Sequence, residues 1–165
     1  MIRNTEYSGF NVTSPYKRTV IPFLDELTPE AEALQAVNTI RRLSNGRLVG
    51  HNTDVYGFEK LAKEKRIRGR KVLVLGTGGA SSAICQALRN LGAKEIIRVS
   101  RNRRPEPDCC TYDELNRHPD AQVIVNSTPV GMYPNNGHSP LDGCSVKWTD
   151  FQQLETALDA IYNPY

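Results

Sequence analysis

Val72-Leu73-Val74-Leu75-Gly76-Thr77-Gly78-Gly79-Ala80-Ser81 sets the fold expectation for this chain of 165 residues. Four consecutive aliphatic residues, with no polar residue alternating between them, fit a strand covered on both faces, as in a parallel sheet. The glycines then make a turn, and residues 81–91, closed by Gly92, read as a helix. Glycines between a strand and a helix let the backbone approach a diphosphate, while the helix start offers unpaired N–H groups. Gly76 and Gly78 hold the first two glycine positions of such a turn, and Ser81 stands where a third glycine or alanine is usual. Many βα turns use glycine only to turn tightly. Here the setting between a buried strand and a helix makes Gly76, Thr77, Gly78, Gly79 and Ala80 candidate cofactor-binding residues.

Downstream, residues 95–99, 122–126 and 157–162 carry further apolar runs that read as strands. Strands alternating with helices predict a doubly wound parallel sheet. The end of its second strand discriminates between nucleotides. NAD sites place an acid there, about 20 residues past the glycines, to accept hydrogen bonds from the ribose. This chain has Ser100-Arg101-Asn102-Arg103-Arg104 instead. An acid would repel a 2′-phosphate, whereas a guanidinium pairs with it through two hydrogen bonds. NADP is therefore expected over NAD, with Arg101 at the strand end as the phosphate contact. A solvated basic loop is the plain reading for at least one of the other arginines. Asn126-Ser127-Thr128-Pro129-Val130-Gly131-Met132 follows the third strand, where ligands sit in open α/β sheets. For Gly131, close approach of a ligand and a structural turn stand as equal readings. For Tyr162, so do substrate contact and packing.

Upstream, residues 1–65 read as a separate α/β piece, and the basic stretch over residues 63–70 marks the boundary with a nucleotide-binding domain over 66–165. Residues 10–12 form a short strand that Pro15 stops, and residues 20–27 and 29–36 read as helices. Thr28 before Pro29 is a hydroxyl N-cap followed by a residue that needs no N–H in the first turn. Ser44-Asn45-Gly46 joins two strands as a tight hairpin. Val55, Phe58, Leu61 and Ala62 then recur at helical spacing. Lys17 follows the proline-stopped strand and Asp54 opens this last helix. A positioned ammonium can donate a proton to a carbonyl that receives hydride, with a carboxylate orienting it. Singly, each has a plainer reading, a solvated lysine and a helix cap. Together with Asn38-Thr39 and Asn52-Thr53, short polar residues suited to a hydroxylated substrate, the pair becomes a candidate catalytic site.

Composition narrows the classes. The formal net charge of +3 is too small and too dispersed to imply nucleic acid. No apolar run is long enough to cross a bilayer, and the first residues lack the apolar stretch of a signal peptide, so a cytoplasmic protein is expected. Cys85, Cys109, Cys110 and Cys144 have neither zinc-ligand spacing nor paired histidines, so no metal is expected and the thiols should be reduced.

Taken together, the segments resemble the shikimate dehydrogenase family. Its N-V-T-x-P-x-K is matched by residues 11–17, A-V-N-T by 36–39, G-x-N-T-D by 50–54, G-x-G-G-A by 76–80, N-x-T-P-x-G-M by 126–132 and D-x-x-Y-N-P by 159–164, in the family's order. The resemblance implies a Rossmann-like doubly wound parallel sheet plus an incomplete α/β substrate domain. It implies reversible hydride transfer between NADPH and the ketone of 3-dehydroshikimate, giving shikimate. Lys17 and Asp54 carry over as the catalytic pair, and Thr13, Asn38, Asp54 and Tyr162 as substrate contacts. The glycine turn carries over as the diphosphate loop, Arg101 as the 2′-phosphate contact and Ala160 as a neighbour of the nicotinamide. Ser100-Arg101-Asn102 departs from the family's N-R-T, and Gln35 stands where glycine is common. The resemblance also makes the chain short at both ends, without the S-x-S segment that holds the substrate carboxylate and without a closing helix that supplies a glutamine. Two alternatives follow: a non-catalytic fragment that keeps the fold and nucleotide binding, and a quinate-preferring relative. Missing flanking strands would leave an open sheet edge in the first domain, so a homo-oligomer is also expected.

Overall fold

The computed structural model describes residues 6–13 and 15–161. The chain divides into two compact units, Met1–Gly57 and Phe58–Tyr165.

The first unit is built on a four-stranded sheet in the order β1-β3-β4-β2. It comprises β1 (Gly9–Asn11), β2 (Glu26–Leu27), α1 (Pro29–Leu34), β3 (Thr39–Arg42), β4 (Leu48–His51) and the first turn of α2 (Asp54–Ala62). The β3–β4 hairpin turns as expected: Gly46 has φ +83°, and the Asn45 side chain accepts from the Arg47 N–H at 3.1 Å. Thr28 caps α1, its hydroxyl accepting from the Ala31 N–H at 3.4 Å. Ala31, Val37, Ile40 and Leu48 form the core, with Phe10, Val12, Val20, Ile21, Leu24 and Leu27 packed on it.

The helix expected over residues 20–27 does not form. A 3-10 turn occupies Ile21–Phe23, and β2 pairs in parallel with β4, Leu27 opposite Gly50. Pro22 sits in the first turn, where its missing N–H costs nothing, and the chain leaves the helical region at Leu24, with φ −100° and ψ 155°, to enter β2. Val20, Ile21, Leu24 and Leu27 keep their place in the core as a turn and a strand. Gly50 makes room for them, because a Cβ there would lie 2.6–2.8 Å from Leu24, Leu27 and Val37 side-chain atoms.

The second unit holds a five-stranded parallel sheet in the order β7-β6-β5-β8-β9, made of β5 (Lys71–Leu75), β6 (Glu95–Ser100), β7 (Cys109–Thr111), β8 (Val123–Asn126) and β9 (Thr156–Asp159). The chain winds outward from β5 to β6 and β7, then returns to β8 on the other side of β5. The switch point lies between β5 and β8, and in open α/β sheets ligands bind at the carboxyl ends of the strands there. Val72 to Leu75 are buried at 0% exposure, as a strand covered on both faces requires. Helix α3 (Gly79–Asn90) lies against β5 and β6 on one face. It ends where expected: Gly92 has φ +81°, and the Gly92 and Ala93 N–H groups bond back to Arg89 and Leu88.

Two features differ from strict strand–helix alternation. Residues 101–108 join β6 to β7 without a helix, and the crossing from β8 to β9 contains only the 3-10 turn Trp148–Asp150. Leu115, Leu141, Val146 and Phe151, from turns and loops, cover Leu73, Leu75, Ile97, Val99 and Ile124 in place of a helix. No helix among the described residues is long and apolar enough to cross a membrane.

Candidate functional site

In the first unit the polar junction is assembled at one end of the sheet, where Asn11, Thr39 and His51 stand opposite one another in register. The Lys17 ammonium meets Asp54 Oδ2 at 2.7 Å, with the side chains 24% and 37% exposed. Asn38 Nδ2 donates to Asp54 Oδ1 at 2.8 Å, so the two carboxylate oxygens have different partners. Asn38 also accepts from the Thr53 N–H at 3.0 Å and donates to the Thr53 hydroxyl at 3.0 Å.

Asn52 anchors this cluster from below. It is 7% exposed; its Nδ2 donates to the Ala36 carbonyl at 3.0 Å and its Oδ1 accepts from the Asp54 N–H at 3.0 Å. The Val37 N–H in turn bonds the Lys17 carbonyl at 2.8 Å. Residues 17, 36–38 and 52–54 thus hold one another, which a burial cost for unpaired polar groups makes stable only as a complete set. Thr13 is exposed and its carbonyl accepts from the Tyr16 N–H. Tyr162 lies outside the described residues.

In the second unit the carboxyl ends of β5, β8 and β9 are tied together. Gly76 has φ +107°, and a Cβ there would stand 2.8 Å from the Ser127 hydroxyl. That hydroxyl donates to the Leu75 carbonyl at 2.6 Å. Asn126, 4% exposed, donates to Asp159 Oδ1 at 3.1 Å and accepts from the Thr128 N–H at 3.0 Å. The Ala160 N–H donates to the Asn126 carbonyl at 3.0 Å. Gly131, at φ +102°, would drive a Cβ to 2.8 Å from Ile161, so its turn alone requires glycine.

Asn126 and Asp159 as a cross-strand clasp did not stand out in the sequence. The available signal was an asparagine closing a buried aliphatic run, followed at the second position by threonine, the pattern of a side-chain turn.

Helix α3 starts two residues earlier than expected, at Gly79, with Gly78 as N-cap. No side chain caps it, and its first turn carries no acid. Around Gly78 and Gly79 a Cβ would meet nothing within 4 Å. An uncapped helix start with open space before it has the donors and the room for a diphosphate. Ser81, in the third glycine position, is buried at 1% exposure within α3.

The basic segment separates into two kinds of arginine. Arg104 Nε donates to the Ser100 hydroxyl at 3.3 Å, and Arg103 approaches Glu114 at 3.9 Å. Arg101 and Asn102 are exposed, and Arg101 makes no hydrogen bond or ion pair among the described residues. Cysteine chemistry has no support: burial pushes the thiols of Cys85, Cys109 and Cys144 up, and that of Cys110 up to about 11. No cluster among the described residues could hold a metal ion.

Residues 1–40 match the family model of the shikimate dehydrogenase substrate binding domain. The shikimate dehydrogenase (NADP(+)) of Caldanaerobacter subterraneus is 40% identical over 94% of this chain and 59% of that protein. Among solved structures, a chorismate mutase/shikimate 5-dehydrogenase fusion protein from Clostridium acetobutylicum has a TM-score of 0.85 at 37% identity, covering 99% of this chain and 60% of that one. The shikimate 5-dehydrogenase of Thermus thermophilus, in complex with NADP(H) and shikimate, has a TM-score of 0.77 at 31% identity, over 99% and 61% of the two chains. The chain spans about three fifths of the length of these relatives. The likeness runs through both units, so over nearly its whole length the chain is similar to shikimate dehydrogenases.

Proposed function

We propose that this chain carries the proton-transfer pair and the nucleotide turn of an NADP-dependent shikimate dehydrogenase, which interconverts 3-dehydroshikimate and shikimate. The 2.7 Å contact of Lys17 with Asp54, whose other oxygen Asn38 holds, is the observation that carries this reading. The Rossmann-like unit contributes nucleotide binding through residues 76–80 and the 2′-phosphate contact through Arg101. Bound NADPH supplies the hydride.

As the ketone carbon gains hydride, its oxygen takes the carbonyl electron pair and needs a proton. Lys17 Nζ donates it, and Asp54 holds the ammonium in direction. In the reverse direction the same nitrogen, once neutral, takes the hydroxyl proton. Asn38 and Thr53 fix the carboxylate, and with Thr13 they offer groups to the substrate's hydroxyls. Ala160, beside the end of β9, would adjoin the nicotinamide of a bound NADP.

Four free thiols agree with a reducing, cytoplasmic setting. Among the described residues of the first unit β1 pairs only with β3, and an edge strand with unpaired backbone groups supports self-association. Light scattering of the purified chain would show a dimer or larger; a monomer at high concentration counts against that part.

The decisive experiment incubates the chain with shikimate and NADP and follows absorbance of the reduced cofactor. Turnover supports the reading. Nucleotide binding without turnover would leave binding alone to this chain. Quinate run in parallel decides the substrate preference.

A further inference from the structure

The sequence contains two Asn-Gly pairs, Asn45-Gly46 and Asn136-Gly137. Both lie in exposed turns, both glycines have positive φ, +83° and +79°, and a Cβ at either would meet nothing within 4 Å. Exposure and room therefore do not set them apart. Their hydrogen bonds do. In the β3–β4 hairpin the Gly46 N–H donates to the Leu43 carbonyl at 2.9 Å, and Asn45 Oδ1 accepts from the Arg47 N–H at 3.1 Å. In the loop after β8, neither the Asn136 side chain nor the Gly137 N–H makes a hydrogen bond among the described residues. That turn is held from its flanks: the Asn135 N–H donates to the Met132 carbonyl at 2.6 Å, and the Asn135 carbonyl accepts from Gly131 at 3.2 Å and from His138 at 3.3 Å.

The contrast bears on one reaction. An asparagine carboxamide is an electrophile for the backbone nitrogen of the next residue, and a glycine there has no side chain to obstruct the approach. The nitrogen must be free to lose its proton, and the carboxamide must be free to turn toward it. An N–H that already donates to a carbonyl gives up its proton less readily, and a carboxamide held by another N–H is fixed in direction.

We propose that Asn136 is a site of spontaneous deamidation in the folded chain, and that the hairpin protects Asn45. The Gly137 nitrogen, its proton passing to water, bonds to Asn136 Cγ. The side-chain nitrogen takes up a proton and leaves as ammonia, and a cyclic imide remains. Water then adds to one of the two imide carbonyls, and the bond from that carbon to the Gly137 nitrogen breaks. Opening at Cγ gives aspartate on the native backbone. Opening at the main-chain carbonyl gives isoaspartate, with the backbone running through the side chain. No atom is oxidised or reduced. Either product puts a carboxylate where a neutral amide stood. The isoaspartate also adds one carbon between the Asn135 carbonyl and the His138 N–H, so the bonds that Gly131 and His138 make to that carbonyl should be the first disturbed.

Peptide mapping of the aged chain tests this. The purified protein is held in mildly alkaline buffer and digested in acid at intervals. Mass spectrometry then follows the exchange of amide nitrogen for oxygen in the peptides that contain Asn45 and Asn136. In the folded chain Asn136 should convert about ten- to a hundredfold faster than Asn45, because two hydrogen bonds must open first at the hairpin. In concentrated urea the two rates should converge, since the protection belongs to the fold. Amide NMR spectra of the aged folded chain should show Gly131 and His138 displaced and the β3–β4 hairpin unchanged. Equal rates in the folded chain would overturn the proposal, as would an Asn136 that stays intact. A difference of the same size in urea would also overturn it, by tracing the effect to the flanking Arg47 and His138 rather than to the hydrogen bonds.

Discussion

Asn38 in the first unit has hydrogen bonds to Thr53 and Asp54 within 3.0 Å, whereas around Gly78 and Gly79 in the second a Cβ would meet no atom within 4 Å. One region is made of side chains that hold one another. The other is made of backbone from which side chains have been withheld. On the proposed function, the difference follows from what each would do. Proton transfer needs an ammonium and a carboxylate fixed in direction, and only a closed hydrogen-bond set fixes them at partial exposure. A diphosphate needs N–H groups within reach, and any Cβ in the way would keep it out.

The comparison breaks most visibly at Lys17. Lys17→Ala should lower kcat by roughly 10²–10⁴, the usual worth of a positioned acid–base group, with NADP affinity nearly unchanged. Steady-state kinetics beside a nucleotide titration would check it, and normal turnover would end the proposed role. Asp54→Asn should also impair turnover, and the double variant should lose less than the sum of the two in free energy if they act as a unit.

Arg101→Ala should produce the next largest effect, on binding alone. Losing a charge-assisted contact should weaken NADP by about one to two decades and leave NAD nearly unaltered. Fluorescence titration with both nucleotides distinguishes this from a general loss of surface charge, which would weaken both equally.

Gly76→Ala sharpens the contrast between side-chain and backbone construction. A non-glycine residue at φ +107°, with its Cβ 2.8 Å from the Ser127 hydroxyl, should cost roughly 1–3 kcal/mol in urea unfolding and weaken both nucleotides together. Gly79→Ala should cost little stability, since nothing crowds that position, and alanine favours the helix that starts there. If it nevertheless reduces nucleotide binding, the open space is occupied by ligand.

The smallest effect concerns acid. Arg98 pairs with Asp108 at 2.8 Å and holds its carboxyl below the usual range; Lys71 does the same for Asp120. These groups lose their protons more readily in the folded chain than in the unfolded one. Their contribution is fully present above the unfolded carboxyl value near 3.8 and is lost as pH falls through the lower folded values. Each pair is partly exposed and should contribute below about 1 kcal/mol. Thermal melts should therefore show a fall below about pH 4, and Asp108→Asn should shallow that fall. An unchanged acid profile would remove the pair from the account.

The elements legible in the sequence are those whose cause is local. The buried run at residues 72–75, the glycine turn, the helix after it and the Asn45-Gly46 hairpin each announce themselves within a dozen residues. The motif spacing likewise singles out Lys17 and Asp54, which the fold brings within 2.7 Å. Residues 20–27 misled because Val20, Ile21, Leu24 and Leu27 have helical spacing, while Pro22 and pairing with β4 favour a turn and a strand. The strand Cys109–Thr111 is too short to carry a period, and its ladder is supplied by β6.

What the sequence determined alone was therefore the set of parts: a parallel-sheet strand with a glycine turn, a lysine after a stopped strand, an aspartate opening a helix, and a basic strand end without an acid. Tertiary structure decided which parts meet. It brought residues 17, 38 and 54 together across gaps of 16 and 37 positions, clasped Asn126 to Asp159, and engaged Arg103 and Arg104 while Arg101 makes no hydrogen bond or ion pair among the described residues. The reason is physical: turns and periodicity are governed by neighbours along the chain, whereas hydrogen-bond partnership and burial depend on groups that only the folded backbone makes adjacent.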